Sequence, residues 1–119
     1  MRVLYIERDT EWQDLVRELI LRVFPGAQVT CVATHSAVEF SAQTMPDVVL
    51  VAGLSRDPTA PVLREALREI RGQLSPNRMI IVISSGAHTE EDVKRWGADY
   101  LCSRSDVDRD LPRLLGRDT

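Results

Sequence analysis

Two runs in this sequence, Val48-Val49-Leu50-Val51 and Met79-Ile80-Ile81-Val82-Ile83, are apolar at every position. A strand with one face in water alternates apolar and polar residues, so a run without alternation must be covered on both faces. That is the situation of a strand inside a parallel sheet. Parallel neighbours cannot be joined by a tight turn and need a crossover, usually a helix, between them.

The rest of the chain supplies those crossovers. Arg2 to Ile6 reads as a strand that ends in polar Glu7, Arg8 and Asp9. Thr10 and Gln13 stand at capping-box spacing, and Trp12, Leu15, Val16, Leu19, Ile20 and Val23 recur at helical intervals until Pro25 and Gly26 stop the helix. Gln28 to Val32 predicts a second strand, and Ser36 to Ala42 a short helix with Ser36 and Glu39 at capping-box spacing. The turn-rich stretch Gly53 to Thr59 leads into a helix with the stripe Leu63, Leu67, Ile70 and Leu74, closed by Ser75, Pro76 and Asn77. Thr89 caps another, with acids in its first turn, Lys94 and Arg95 in its last and Gly97 as terminator. Ala98 to Cys102 is the fifth strand. A short helix around Leu111 to Leu115, started by Pro112 and stopped by Gly116, ends the chain.

Five βα units with right-handed crossovers predict one α/β domain over residues 1–119, a flavodoxin-like (βα)5 three-layer sandwich with a parallel sheet of order 2-1-3-4-5. In that order the polar residues after strands 1, 3, 4 and 5 meet at the carboxyl edge beside the switch point, where ligands of such sheets bind. Strands 2 and 5 lie on opposite edges, so Cys31 and Cys102 are expected as small core residues rather than a disulfide or metal pair.

With 119 residues the chain is long enough to bury a core without staples, and its net charge of −3 is spread along the sequence. No basic patch points to nucleic acid or an anionic membrane, and no apolar stretch is long enough for a span or signal peptide. The expected location is the cytoplasm.

Four segments, Val3-Leu4-Tyr5-Ile6 before an acidic cluster, Pro46-Asp47-Val48-Val49-Leu50-Val51, Ile81-Val82-Ile83-Ser84-Ser85 and Gly97-Ala98-Asp99-Tyr100-Leu101, fall in an order and spacing that covers essentially the whole chain. In them the sequence resembles the CheY-like receiver domain of bacterial response regulators, the phosphorelay modules of two-component signalling. That resemblance implies three carboxylates at the carboxyl edge, two after strand 1 and one ending strand 3, which hold Mg²⁺ through hard oxygen ligands. The strand 3 carboxylate is also the phosphate acceptor. On this chain the strand 1 pair falls at Glu7 and Arg8, with Asp9 next, and the acceptor position at Ala52. A methyl group neither attacks phosphorus nor ligates a metal, and Arg8 puts a cation where the family keeps an anion. The resemblance therefore implies a degenerate pseudo-receiver, not an enzyme, with neither Mg²⁺ nor another cofactor expected.

Other family positions are partly kept. Ser84 has the hydroxyl expected after strand 4, and Arg104 a cation where the family has lysine, while Ser105 replaces the usual proline. Arg104 either pairs with Glu7 or Asp9 and holds one conformation, or Glu7, Arg8, Asp9 and Arg104 are solvated rim charges. The switch aromatic falls at Leu101, with Tyr100 one residue earlier on the other face. Asp57, before Pro58, reads as a turn former, the alternative being a substitute phosphate acceptor.

His35 and His88 lack neighbours at ligand spacing and are read as capping or exposed. Ser84-Ser85-Gly86 would offer amides to an anion but lacks a glycine-rich phosphate fingerprint. Arg64, Arg68 and Arg71 read as a solvated face paired with Glu65 and Glu69. The helix after Thr89, the fifth strand and the last helix form the family's usual partner face, here mixing Lys94, Arg95, Arg109 and Arg113 with Asp99, Asp106, Asp108 and Asp110. Mixed charge suits a protein partner or a homodimer. The expected function is a phosphorylation-independent protein-binding module; the alternatives are a relay through Asp57 or a sensor of a small anion near Ser84, Ser85 and Arg104.

Overall fold

The computed structural model describes residues 1–32, 45–53, 60–85 and 88–116. The strands β1 (Arg2–Ile6), β2 (Gln28–Val32), β3 (Val48–Gly53), β4 (Met79–Ser84) and β5 (Tyr100–Ser103) form one parallel sheet. Its order, β2-β1-β3-β4-β5, is the expected flavodoxin-like one. The expected helix Ser36 to Ala42, His35, Asp57, Gly86 and the turn from Leu54 to Thr59 lie outside the described residues.

Strand parity builds the layers. Val3, Tyr5, Val48, Leu50, Ile81 and Ile83 face one side, where the Thr10–Val23 and Val107–Gly116 helices pack. Leu4, Ile6, Val49, Val51, Ile80 and Val82 face the other, against Leu63, Leu67 and Ile70 of the Ala60–Gln73 helix and Val93 of the Glu90–Arg95 helix. Every residue of β4 is buried, as its unbroken apolar run requires. Among the described residues no helix is long and apolar enough to cross a membrane.

Three local expectations need correction. In the first helix Val16, Leu19 and Ile20 are buried, but Leu15 and Val23 are 50% and 44% exposed. Successive helical residues are about 100° apart, which puts Leu15 on the flank of the buried arc. The cap of this helix is Asp9, whose carboxylate accepts the Glu11 N–H at 2.9 Å, while Gln13 donates its side-chain amide to the Glu7 carbonyl at 2.6 Å. Finally, the last helix is longer than expected: a 3₁₀ turn, Arg104–Asp106, leads into Val107–Gly116, with Pro112 inside it. Burial of Val107, Leu111, Leu114 and Leu115 at i, i+4, i+7 and i+8 outweighs the one helical hydrogen bond that proline cannot donate.

The amino edge is tied by charges. Asp99 donates its N–H to the Ile80 carbonyl and accepts the Ile80 N–H on its carboxylate, both at 2.8 Å, so β5 proper begins one residue later. Arg71 binds that carboxylate at 2.7 Å and also donates to the carbonyls of Gly97 and Arg78, each at 2.9 Å. Arg64 and Arg68 are exposed as expected, but Arg71 is a half-buried clamp, not part of a solvated stripe. Gly97 has a φ of 115°, and a Cβ there would meet the Arg71 Cβ at 3.3 Å, so glycine serves both the turn and the clamp. Next to it, Asp47 pairs with Arg78 and accepts the Arg2 N–H at 2.8 Å.

Asp99→Ala strands the buried Ile80 N–H and takes from Arg71 its carboxylate, leaving it the carbonyls of Gly97 and Arg78. It is expected to cost about 1–3 kcal/mol, read as a lower urea midpoint at unchanged slope.

Candidate functional site at the carboxyl edge

Strand register sets the site. Ile6 pairs with Val51, so Glu7 leaves β1 level with Ala52 of β3, and Gly53 and Ser103 flank Ser84. The Glu7 N–H donates to the Val32 carbonyl at 2.8 Å, which fixes its backbone against β2.

Glu7 is a carboxylate only 2% exposed. Its Oε1 accepts Arg104 Nη2 at 2.6 Å and the Tyr5 hydroxyl at 3.2 Å, and its Oε2 accepts the N–H groups of Arg8 and Asp9 at 2.9 and 3.4 Å. The Arg104 guanidinium, 18% exposed, lies 4.6 Å from the centre of the Trp12 ring. It is thus held between a carboxylate and an aromatic face, a cation–π arrangement. Burial, and then the charge of Glu7, push the Tyr5 phenol far above its ordinary range, so Tyr5 is a hydrogen-bond donor at any working pH.

Of the two readings of the rim, pairing holds for Glu7 and Arg104, and solvation for Arg8 and Asp9. Both of the latter are exposed, and Asp9 turns to its capping role instead of Arg104. Ala52 is half-buried and brings a methyl group to the site.

Beyond Ala52, Ser84 is 1% exposed and its hydroxyl lies 3.2 Å from His88 Nδ1. His88 is 9% exposed and packs edge to face on Trp96, with centroids 6.0 Å apart and planes at 81°. The expectation of a capping or exposed His88 is corrected: Thr89 caps, accepting the Asp92 N–H at 3.1 Å, and His88 turns inward. Ser85 is exposed.

The charged face is largely balanced within its own helices. Lys94 meets Glu90 at 3.0 Å, Arg95 meets Asp92 at 3.4 Å, and Arg109 and Arg113 reach Asp110 at 3.3 and 3.2 Å. Asp99 does not belong to this face in the way expected, because the Ile80 N–H and Arg71 draw it to the amino edge. Both cysteines are free thiols; burial pushes Cys102 up to about 11 and also raises the half-buried Cys31.

Comparison of the sequence with family models and with curated proteins gives no match. Comparison of the fold does. The pilus assembly protein CpaE from Caulobacter crescentus CB15 superposes with a TM-score of 0.74 at 15% identity, over 98% of this chain and 97% of that one. A LuxR family DNA-binding response regulator from Silicibacter pomeroyi gives 0.79 at 16% identity, over 99% and 90%. The receiver domain of the sensor histidine kinase PA1611 from Pseudomonas aeruginosa PAO1 gives 0.77 at 23% identity, over 98% and 94%, and carries a magnesium ion in its active-site cleft.

The chain has the receiver fold. On that frame Glu7 follows β1, Ala52 is the penultimate residue of β3, Ser84 ends β4 and Arg104 follows β5. Leu101 packs toward one layer and Tyr100 toward the other, with Lys94 Nζ 5.9 Å from the Tyr100 ring. The sequence pattern places Tyr5 in a strand and Trp12 on the apolar stripe of the first helix, and nothing in that pattern shows that the Tyr5 hydroxyl or the Trp12 ring faces the site.

Arg104→Met leaves Glu7 buried without its cation and is expected to destabilise the fold by about 3–5 kcal/mol in urea denaturation. The double variant Glu7→Gln, Arg104→Met removes the unpaired charge and should recover part of that loss, a coupling that a mutant cycle reads directly.

Proposed function

We propose that this chain is a receiver-like signalling module that works without phosphorylation, as a binding partner and not as an enzyme, in the cytoplasm. The observation that carries this reading is the Glu7–Arg104 pair beside Ala52. A cation at this place in a receiver is free to meet a phosphoryl group; here Arg104 already has an internal carboxylate, and the strand 3 position beside it is Ala52. The pocket is neutralised from within, which favours one standing conformation over two.

The donor set does not fit Mg²⁺. The Glu7 oxygens are taken by a guanidinium, a phenol and two amides, Ala52 offers no ligand, and Arg8 contributes positive charge. Among the described residues no three His, Cys, Asp or Glu side chains converge on a point. An anion-sensing role is disfavoured by the same pairing, since a ligand at Arg104 must displace Glu7. That several neighbours in fold are response regulators supports the signalling role.

The partner in this reading is a protein or a second copy of the chain, met through the Glu90–Arg95 helix, β5 and the Val107–Gly116 helix. Because Arg109 and Arg113 sit on exposed surface beside acids of the same helix, such a partner would exchange ion pairs rather than supply missing ones. The net charge argues against nucleic acid.

The test is titration with Mg²⁺ and beryllofluoride, a mimic of an aspartyl phosphate, followed by amide chemical shifts. No response at millimolar concentrations is expected. Saturable shifts around Ser84 and Arg104 that disappear in Asp57→Ala would replace this reading with a relay through Asp57; shifts with an anion alone, lost in Arg104→Met, would favour the sensor.

A further inference from the structure

His88 is a buried ionisable group for which the proposed function has no use. Among the described residues it meets two different elements: the Ser84 hydroxyl at the end of β4, and the Trp96 ring at the C-cap of the Glu90–Arg95 helix. It also directly precedes Thr89, the residue whose hydroxyl caps that helix. The helix has six residues, of which Val93 is buried. A helix so short does not hold itself together, so it depends on its cap, on the burial of Val93 and on the contacts at its two ends. His88 packs on the C-terminal end through Trp96 and precedes the cap of the N-terminal end in the chain.

We propose that His88 is a proton-operated latch that holds the Glu90–Arg95 helix against the sheet when neutral and releases it when protonated. The neutral ring has one donor and one acceptor nitrogen and satisfies the Ser84 hydroxyl in either tautomer. The imidazolium has two donors and a charge that must be solvated. Ser84 and Trp96 are neutral. Of the charged groups among the described residues, Asp92, on the helix itself, acts on the ring. Burial lowers the affinity of His88 for a proton, and Asp92 offsets this only in part. The sign follows. A folded value below the ordinary 6.5 means that the unfolded or released form binds the proton more tightly. The contribution of His88 is therefore complete above 6.5 and is lost as the pH falls from there through the folded value.

Release of the ring takes it away from Trp96 and pulls on Thr89. The rest of the sheet does not depend on that contact, so the opening is local. It moves Lys94 and Arg95, which belong to the charged face of the domain. Acid conditions would thus disarm that face while leaving the receiver core folded.

The test is a two-dimensional NMR titration of the unmodified chain between about pH 8 and 5, which spans the range where histidine titrates. It follows the His88 ring, the Trp96 indole N–H and the amides of residues 89–96 beside those of β1 and β3. The expected result is one shared midpoint below 6.5 for His88, Trp96 and the helix, with the sheet signals still. In His88→Gln, which keeps a hydrogen-bonding group for Ser84, the Trp96 transition should disappear. In Ser84→Ala it should persist with a displaced midpoint. A Trp96 signal that stays fixed while the ring titrates overturns the proposal. So does a midpoint at or above 6.5, a transition that survives in His88→Gln, or simultaneous movement of the sheet amides. The unmodified chain alone decides the first, second and last of these, so the test stands even if a variant does not fold.

Discussion

Two-sided burial of the central strands governs everything else in this molecule. Once β3 and β4 are covered on both faces, their backbone groups have no water to turn to and must be paired along the sheet, and their side chains must interlock with helices above and below. Polar chemistry is thereby confined to the two ends of the strands. At the amino edge it is used to tie strands together, through Asp47 with Arg78 and Asp99 with Arg71. At the carboxyl edge, where ligands of such sheets bind, it gathers Glu7, Arg104 and Tyr5 into one cluster.

What distinguishes the pocket is that its charges cancel at short range. A buried ion pair is not automatically stabilising, because taking both charges out of water offsets much of their attraction. Glu7 and Arg104 meet the condition under which it is: the carboxylate has four donors, and the guanidinium has a carboxylate on one side and an indole on the other. The surface pairs of the last helix, between Arg109, Arg113 and Asp110, are of a different kind, exposed and exchangeable.

The sheet order was legible in the sequence, because it follows from runs and spacings along the chain, and the same spacings put an alanine, Ala52, near the end of the third strand. The partner of Arg104 was left open between two carboxylates and solvent. The choice turns on Asp9 being the better placed cap for the first helix, a competition that only the three-dimensional arrangement decides. His88 was misread for a related reason. Its position before a helix matches an exposed loop residue equally well, and its partner Ser84 is brought to it by the turn of the chain, not by a periodic pattern. The last helix is longer than its sequence suggests because Pro112 suits a first turn, whereas the apolar face beginning at Val107 extends the helix upstream of it.

The ion pair joins residues 97 positions apart, one leaving the first strand and the other leaving the last, with β3 and β4 lying between those strands in the sheet. Closing so long a loop costs entropy that the intervening strands offset once docked, so the pair is expected late in folding and outside the nucleus. A contact of that kind acts mainly on escape from the native state: it slows unfolding and leaves the rate of folding almost unchanged. In this chain the charges that fill the pocket therefore also serve as a seal on the finished topology.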